Sequence, residues 1–329
     1  MREASISVAM CSYNAAKYVR EQLDSFLRQT RLPDELVVCD DASTDETRDI
    51  ITAFARSAPF EVRLYCEPSN IGRIANFEKA ISLTNKEFIF LSDADDVWNE
   101  RKIWRMSQAL QSTPDAAGVF CDAEVVDGSL KPLGYSVSEA RRFTPKLQAQ
   151  LARGEAYAFL LRSRTVQGAA LAFRASYRPL LLPLSSRWGH DSWIAVLLAA
   201  AGRLVFVDEK LMSYRQHGQN LVGVARAARQ KSWTVWTRRL RQPKQHYQKA
   251  WEVASYLLLQ LDDLEGRLAE RVDPSRCEKP LEAMAYRRLK LNRRKRAIEL
   301  VLAVLNGLTL QGNSAPEGIR PPREIDTRY

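Results

Sequence analysis

The sequence predicts an α/β protein, with a doubly wound, mostly parallel sheet followed by a helical and basic C-terminal extension. Short apolar runs alternate with amphipathic segments from residue 6 to residue 126, and strands separated by helices pair in parallel through right-handed crossovers. The charge is uneven, since residues 1–221 hold 27 Lys and Arg and 27 Asp and Glu, whereas residues 222–329 hold 22 and 12. All of the net charge of +10 therefore falls in the last third, which predicts a separate basic part.

The predicted elements follow the period of the apolar residues along the chain. The predicted strands are Ile6–Cys11, Leu36–Cys39, Val62–Cys66, Glu87–Leu91 and Gly118–Val126. The predicted helices between them are Ala15–Gln29, Thr44–Ser57, Ile74–Leu83 and Arg101–Gln111. We expect Ser43 to cap the second helix and Glu46, three residues on, to complete a capping box.

The pattern is looser after residue 130, although two further elements are predicted. Asp191 heads an apolar helix, Ser192–Ala201, and a short strand follows at Val205–Val207. Helices rich in Lys and Arg are expected over residues 224–305. The predicted organisation is therefore a domain at 1–221, a basic helical extension at 222–310 and a flexible polar tail at 311–329.

Polar residues follow three of the predicted strands. They are Ser12-Tyr13-Asn14, Asp40-Asp41 and Asp93-Ala94-Asp95-Asp96. Ligands of doubly wound sheets bind beyond the carboxyl ends of the strands, so these segments are expected to form one site. Carboxylates this close repel one another and favour a cation such as Mg2+ or Mn2+, with substrate phosphates completing its shell. A solvated turn that caps a helix is the alternative.

These segments, in their order and spacing, resemble the inverting glycosyltransferases of family 2, which have the GT-A fold. The motifs that carry the resemblance are Ile6–Asn14, Asp40–Asp45, Asn70–Gly72, Leu91–Trp98, Gly189–Trp193 and Tyr214–His217. The last two are similar to motifs of the rhamnosyltransferase-like branch, which builds bacterial surface polysaccharides.

The resemblance implies a role for each matching position. The residues that would bind the nucleotide sugar are Ser12, Tyr13, Asn14, Asp41, Arg73, Asp93 and Ala94. Asp95 would ligate the metal and His217 would supply a second ligand. A solvated arginine at a helix start and a hydrogen-bonded structural histidine are the alternatives for Arg73 and His217.

Asp191 would be the general base according to the resemblance, and its chemistry suits that role. A carboxylate can remove the proton of an acceptor hydroxyl while its oxygen attacks the anomeric carbon; an N-cap of the following helix is the alternative. The expected acceptor-side residues around it are Trp188, His190, Trp193 and Gly168. The stretch Val166–Ala170 departs from the pattern of many relatives, so the acceptor stays undetermined.

The resemblance thus implies a metal-dependent, inverting transferase that moves a sugar from a dTDP- or UDP-sugar, with dTDP-rhamnose among the candidates, to a glycan or lipid-linked acceptor. A nucleotidyltransferase would need a glycine-rich phosphate loop near the first strand, which Ser12–Ala15 does not offer. A basic membrane- or nucleic-acid-binding scaffold with an inactive transferase domain is the other alternative. The presence of Asp93, Asp95 and Asp191 disfavours it.

The expected location is cytoplasmic, peripheral on the inner face of the cell membrane. The five cysteines include no CxxC pair, no signal peptide is recognised, and the longest apolar run, Trp193–Gly202, is too short to span a bilayer. Aromatic residues interleaved with Lys and Arg in the last third suit an anionic lipid surface. A solvated helical face or an oligomer contact is the alternative, and nucleic acid is an unlikely partner.

Overall fold

A computed structural model describes residues 3–218 and 244–305 of the chain. The chain divides into two compact units. The first is an α/β unit in the N-terminal part, and the second is a helical unit built from two long helices. Among the described residues, no helix combines the length and the apolar character that crossing a membrane requires.

The strands of the α/β unit form one mixed sheet. They are β1 (Ile6–Ser12), β2 (Glu35–Asp40), β3 (Glu61–Cys66), β4 (Phe88–Asp93), β5 (Val97–Trp98), β6 (Ala116–Val126), β7 (Pro132–Ser136), β8 (Leu171–Arg174) and β9 (Arg203–Arg215). The order across the sheet is β3-β2-β1-β4-β8-β6-β9-β5, and β7 pairs with β6 outside this path. This mixed sheet with flanking helices is the architecture that the sequence predicted.

Helices connect most of these strands. They are α1 (Val19–Leu27), α2 (Thr47–Ala55), α3 (Arg73–Leu83), α4 (Lys102–Ser112), α5 (Val137–Ala140), α6 (Pro145–Ala152), α7 (Ala156–Leu160), α8 (Arg178–Leu181) and α9 (His190–Ala201). The first helix is shorter than the predicted Ala15–Gln29, because the chain forms turns before Val19.

Strands β3, β2, β1 and β4 are parallel neighbours, as the alternation of strands and helices predicted. The aliphatic and aromatic residues of β1, β2 and β4 are buried, which is usual for parallel strands covered on both faces, whereas those of the edge strand β3 are half-buried. The register sets Ser12 beside Asp40 and Cys11 beside Asp93. The polar strand ends therefore lie along one edge of the sheet.

The second half of the sheet departs from the prediction. The segment Gly118–Val126 does not extend the parallel set, because β8 lies antiparallel between β4 and β6. Strand β6 instead pairs in parallel with β9. Strand β9 is much longer than the predicted Val205–Val207, since the polar residues at 208–210 interrupt the apolar run but not the strand.

The predicted capping box before the second helix is wrong. Helix α2 begins at Thr47 and has no side-chain cap. The Ser43 hydroxyl donates to the buried Asp40 carboxylate and accepts from the backbone N–H of Asn14 at 2.8 Å. Ser43 therefore joins the loops that follow β1 and β2 instead of ending a helix.

The helical unit contains α10 (Lys244–Arg271) and α11 (Pro274–Leu305), which agrees with the helices predicted for this part. Each helix buries apolar residues at heptad spacing; they are Ala254, Leu261 and Leu268 on α10 and Met284, Leu291 and Ile298 on α11. Arg288 bridges the helices through Asp262 at 2.6 Å and Glu265 at 2.7 Å. The boundaries at 221 and 310 stay predictions, and the tail at 311–329 lies outside the described residues.

Candidate functional site

The acidic turn after β4 is held in place by a buried arginine. The backbone N–H of Arg215 donates to Asp96 Oδ1 at 3.0 Å, and its Nε donates to the Asp95 carbonyl at 2.7 Å. Its Nη1 donates to the Gly128 carbonyl at 2.8 Å, and Nη2 pairs with Glu21. Arg215 therefore fixes the backbone that presents the carboxylates.

The two predicted metal ligands lie together. His217 Nε2 is 2.9 Å from Asp95 Oδ2, and the imidazole stacks on the Tyr18 ring with centroids 4.6 Å apart. The side chains lie 122 positions apart in the sequence and meet because β9 ends beside the turn between β4 and β5. Both remain partly accessible to solvent.

Asp93 lies in a field of several charges. Burial and the neighbouring Asp95 raise the pKa of Asp93 to about 7, Asp191 acts in the same direction, and Arg73 acts against them. Arg73 is the first residue of α3, and its guanidinium makes no hydrogen bond or ion pair with a described residue. Asp93, predicted to bind the nucleotide sugar, thus lies within electrostatic range of the predicted metal ligand Asp95 and of the predicted base Asp191.

The donor set fits a divalent cation that is shared with a substrate. In the part of the chain that the structure describes, no group of three or more His, Cys, Asp or Glu side chains is arranged to hold a metal. Asp95 and His217 supply one oxygen and one nitrogen donor. Mg2+ and Mn2+ accept such a partial set when phosphate oxygens and water complete the shell.

The loops after β1 and β2 are tied to one another. Ser12 Oγ donates to Asp40 Oδ2 at 2.9 Å, and Asn14, which has a positive φ of 47°, accepts the Thr44 N–H at 2.9 Å. Tyr13 lies between them with 54% of its surface exposed. Tyr13 therefore presents an accessible aromatic ring at the carboxyl edge of the sheet.

Asp41 organises the loop before α3. Its carboxylate accepts the N–H of Ile71 at 2.6 Å and that of Gly72 at 3.0 Å. A carboxylate has about four lone-pair positions, so two bonds leave acceptor capacity for a ligand. Gly72 adopts a φ of 85°, a conformation that favours glycine.

Asp191 lies in the first turn of α9, where Gly189 occupies the N-cap position. The Asp191 side chain accepts the N–H of the next residue, Ser192, at 2.7 Å. It is partly exposed, and its charge acts on both Asp93 and His190. Asp191 is therefore not the N-cap residue. Its carboxylate interacts electrostatically with Asp93 of the acidic turn.

His190 precedes Asp191 and is buried against two neighbours. Its ring stacks on Phe77 with centroids 4.0 Å apart, and neither ring nitrogen has a hydrogen-bond partner in the described structure. Burial lowers the pKa of His190 to about 4, which keeps the ring neutral. A Cβ on Gly168 would lie 2.6 Å from His190 Nε2, so only glycine allows this approach.

The two tryptophans near Asp191 lie in the packing of α8 and α9. Trp193 is 1% exposed and its indole N–H donates to the Leu181 carbonyl at 2.9 Å. Trp188 is also buried, with its ring centroid 6.4 Å from that of Trp193. The structure therefore does not bring these rings to the surface beside Asp191. Ala94 is likewise buried within the acidic turn.

Two buried cations near the site had no assigned role in the sequence analysis. Arg215 lies in the recognised Tyr214–His217 motif, but its contacts could not be derived from spacing. Lys102 is buried at the start of α4, donates to the Ala169 carbonyl at 2.5 Å and lies 3.7 Å from the Trp98 ring centroid. Burial lowers the pKa of Lys102 to about 8. A lysine at a helix start ordinarily lies in solvent, so the contact of Lys102 with Ala169 could not be predicted from the sequence.

Comparison with known families agrees with this geometry. Residues 7–161 match the model of the family described as Glycosyl transferase family 2. The domain belongs to glycosyltransferase family 2. The match includes the loops after β1 and β2 and the acidic turn, whereas Asp191 and His217 lie beyond it.

Curated relatives extend the similarity past the family match. An uncharacterized glycosyltransferase of Nostoc sp. is 31% identical over 223 residues, which are 65% of this chain and 66% of the relative. The dTDP-rhamnosyl transferase RfbG of Shigella flexneri is 25% identical over 226 residues, which are 65% of this chain and 73% of that protein. The chain covers 63% of the length of an uncharacterized relative from Mycobacterium tuberculosis.

Solved structures share the fold. The mannosyltransferase PcManGT of Pyrobaculum calidifontis, in complex with GDP-Man and Mn2+, has a TM-score of 0.57 at 18% identity and covers 94% of this chain and 77% of its own. S. aureus TarS 1-349, in complex with UDP-GlcNAc, has a TM-score of 0.52 at 16% identity and covers 93% of both chains. Together with the sheet order, these structures establish the GT-A fold of the family 2 domain.

Proposed function

We propose that the protein is a metal-dependent, inverting glycosyltransferase. It transfers a sugar from a nucleoside diphosphate donor to a hydroxyl of a glycan or lipid-linked acceptor in bacterial surface polysaccharide synthesis. The observation that carries the proposal is the convergence of Asp93, Asp95, His217 and Asp191 beyond one edge of a family 2 sheet. The similarity to a dTDP-rhamnosyl transferase supports a dTDP- or UDP-sugar, with dTDP-rhamnose among the candidates.

The donor occupies the carboxyl edge of the parallel strands. Asp41 keeps acceptor capacity for the N3–H of a uracil or thymine base, and Tyr13 offers its exposed ring to the nucleoside. Ser12 and Asn14 act indirectly, because their side chains fix the loop that carries Tyr13. Arg73 has no partner among the described residues, which suits contact with the donor diphosphate.

Asp95 and His217 are the residues that would hold Mg2+ or Mn2+. The bound cation would supply positive charge against the departing diphosphate. The mutual repulsion of Asp93 and Asp95 favours this arrangement, because a cation relieves it.

Asp191 takes the proton of the acceptor hydroxyl. The hydroxyl oxygen attacks the anomeric carbon, the bond from that carbon to the diphosphate oxygen breaks, and the nucleoside diphosphate leaves. A single displacement of this kind inverts the anomeric configuration. His190 is neutral and therefore places no positive charge beside the carboxylate of Asp191.

The helical unit is proposed to place the enzyme on an anionic membrane. Exposed apolar residues on α11, which include Tyr286, Leu289 and Leu300, share one face with exposed Arg293 and Arg296. Apolar side chains bordered by cations are typical of helices that lie in the lipid interface. Such a position would bring the transferase close to a lipid-linked acceptor at the cytoplasmic face.

A nucleotide screen tests the proposed activity. The melting temperature is measured with UDP, dTDP and GDP, each with and without Mn2+, because a ligand of the folded state stabilises it by RT ln(1 + [L]/Kd). We expect a metal-dependent increase with UDP or dTDP. Asp95→Ala should abolish the metal dependence, and Asp191→Asn should keep the nucleotide shift.

Turnover of the two variants separates binding from catalysis. Asp191→Asn should lower transfer at saturating donor by about 10²–10⁴-fold, the usual contribution of a general base. Near-normal turnover of Asp191→Asn would refute the assignment of the base. A nucleotide-induced shift in melting temperature that is the same with and without Mn2+, and the same in Asp95→Ala, would refute the metal site.

A further inference from the structure

The segment that leads up to Asp191 is strongly basic. Residues 137–190 hold nine Lys and Arg against two Asp and Glu, whereas residues 1–136 hold 15 against 22. The two segments balance in the whole domain, so the overall charge conceals the difference. The half of the α/β unit that supplies Asp191 therefore differs in charge from the half that binds the nucleotide.

Several cations of this segment have structural partners. Arg174 donates to the carbonyls of Ala116 at 2.8 Å and Leu110 at 2.6 Å, and Arg153 pairs with Glu155 at 3.0 Å. These contacts account for their positions without a ligand.

Arg141 has no such partner among the residues that the structure describes. It follows α5, which is fixed by the Ser136–Glu139 capping box and by the Ser138 N–H that donates to Asp122 at 2.9 Å. The Arg141 guanidinium makes no hydrogen bond or ion pair with a described residue, and its Nε is buried without an acceptor. The backbone of α5 is therefore well anchored, whereas the guanidinium of Arg141 lacks a partner among the described residues.

The surroundings of Arg141 connect it to the site. Burial lowers its pKa, the carboxylate of Asp191 and the hydroxyl of Tyr214 raise it, and Arg164 lowers it. Tyr214 in turn interacts with the carboxylates of the acidic turn. Arg141 is thus within electrostatic range of Asp191, and Tyr214 is within range of both Arg141 and the acidic turn.

A partly buried guanidinium without an acceptor is unfavourable unless an anion joins it. A second cation, Arg164, increases the local positive potential. The planar fork of N–H donors on arginine matches the geometry of phosphate and carboxylate oxygens. Asp191 acts on Arg141 through space but forms no ion pair with it in the described structure.

We propose that Arg141 binds an oxyanion carried by the acceptor, a phosphate or a carboxylate, beside the hydroxyl that Asp191 deprotonates. The inference rests on the proposed transferase function and specifies the chemical class of its acceptor. Arg73 then binds the anionic donor and Arg141 binds the anionic acceptor. Asp191 interacts electrostatically with Arg141, and it also interacts with Asp93, on which Arg73 acts. Neutral acceptors lose this contact and bind more weakly.

Ligand titrations with the donor site filled test this inference. The protein is first saturated with Mn2+ and with the nucleotide that raises its melting temperature. It is then titrated calorimetrically with N-acetylglucosamine 1-phosphate, methyl glucuronide and the neutral methyl glucoside. We expect an oxyanion ligand to bind at least tenfold more tightly than the neutral glycoside, and the stronger of the two anions distinguishes phosphate from carboxylate.

Variants assign this preference to Arg141. Arg141→Gln should remove the preference for the anion and keep the nucleotide-induced shift, whereas Arg141→Lys should retain part of it. The matched control, Arg153→Gln, removes one positive charge from the same segment. It should change neither the preference for the anion nor the nucleotide-induced shift in melting temperature. Equal binding of anionic and neutral ligands, or an anion preference that survives in Arg141→Gln, would overturn the inference. Loss of the nucleotide shift in the unmodified protein would instead contradict the transferase function itself.

Discussion

The absence of a side chain at Gly168 decides how closely His190 approaches the turn before β8. A Cβ at this position would lie 2.6 Å from His190 Nε2 and 3.4 Å from Asp191 Cβ. The first distance is shorter than real Cβ contacts, and the His190 ring is stacked on Phe77. The ring therefore cannot move away without moving the start of α9, which carries Asp191.

Gly168→Ala is expected to displace Asp191, the proposed base. Transfer should fall by about 10²-fold, because a shift of about 1 Å in a reacting group has effects of this size. The free energy of unfolding should decrease by about 1–3 kcal/mol, as for other overpacked sites. Steady-state kinetics and urea unfolding measure the two effects, while the nucleotide-induced melting shift should persist.

Gly266→Ala is the matched control. Gly266 lies in α10 and a Cβ there would have no neighbour within 4 Å. Replacing an exposed helical glycine by alanine stabilises a helix by about 0.5–1 kcal/mol. A loss of activity in Gly266→Ala, or an unaltered rate in Gly168→Ala, would contradict the steric argument.

His190 makes the stability of the domain depend on pH. Its pKa is about 4 in the folded state, against an ordinary value of 6.5. Between these values the unfolded chain binds a proton that the folded chain does not, so the free energy of unfolding decreases as the pH falls from 6.5 towards 4. Asp93, whose pKa is raised to about 7, contributes in the opposite direction.

His190→Leu should weaken this pH dependence. The difference in unfolding free energy between pH 7.5 and pH 5.0 is expected to change by about 2 kcal/mol relative to the unmodified protein, from the usual 1.36 kcal/mol per pKa unit. Urea unfolding at both pH values measures it. The comparison cancels the contribution of Asp93 and any general loss of stability, and identical pH dependence in the two proteins would show that His190 is not held neutral.

At the scale of elements, β9 connects to the turn after β4 through Arg215. Arg215→Met should lower the free energy of unfolding by about 2–4 kcal/mol, because it leaves the carbonyls of Asp95 and Gly128 without their donors. The loosened turn should also reduce the Mn2+-dependent nucleotide shift. Urea unfolding and thermal shift are the measurements.

Arg20→Met provides the comparison for this element. Arg20 forms an exposed pair with Asp24 on α1, and such pairs contribute about 0.3–0.5 kcal/mol. If Arg215→Met lowered the free energy of unfolding as little as Arg20→Met does, the acidic turn would not depend on its contacts with β9.

The elements that sequence periodicity predicted are those with a clear local alternation of strand and helix, as in β1 to β4. Strands β1 and β2 each pair with the next strand along the chain, whereas β4 pairs with β1, the first strand. The antiparallel β8 was not predicted as a separator, because its pairing depends on a strand that comes much earlier. The length of β9 was missed because polar residues at 208–210 break the apolar pattern.

The site shows the same limit at the level of single residues. Asp93, Asp95, Asp191 and His217 were recognised from motifs, and the structure brings their charges together. The burial of Trp193 and the unpaired guanidinium of Arg141 depend on which elements pack around them. No local spacing encodes those neighbours.

At the scale of the whole molecule, the helical unit is proposed to bind anionic membrane through α11. The unmodified protein should float with vesicles that contain phosphatidylglycerol and dissociate as salt is raised. The double substitution Arg293→Glu with Arg296→Glu should weaken binding by about 30-fold or more, since each cation near the surface contributes about 1 kcal/mol. Flotation across a range of lipid concentrations measures this.

A control with the same change in net charge separates a specific face from general attraction. Arg56→Glu with Lys131→Glu alters two exposed cations of the α/β unit. Equal weakening by both pairs, or no flotation of the unmodified protein at low salt, would contradict the proposed docking face.

The contact between Asp95 and His217 spans 122 positions of the chain. During synthesis the loops after β1 and β2 and the acidic turn leave the ribosomal exit tunnel long before His217 does. A nascent or truncated chain that stops before Asp191 has the loops after β1 and β2 but lacks both Asp191 and His217. With the roles proposed for Asp191 and His217, an unfinished polypeptide of this kind would lack the base and a metal ligand, and it would therefore neither hydrolyse an activated sugar nor transfer it to a wrong acceptor.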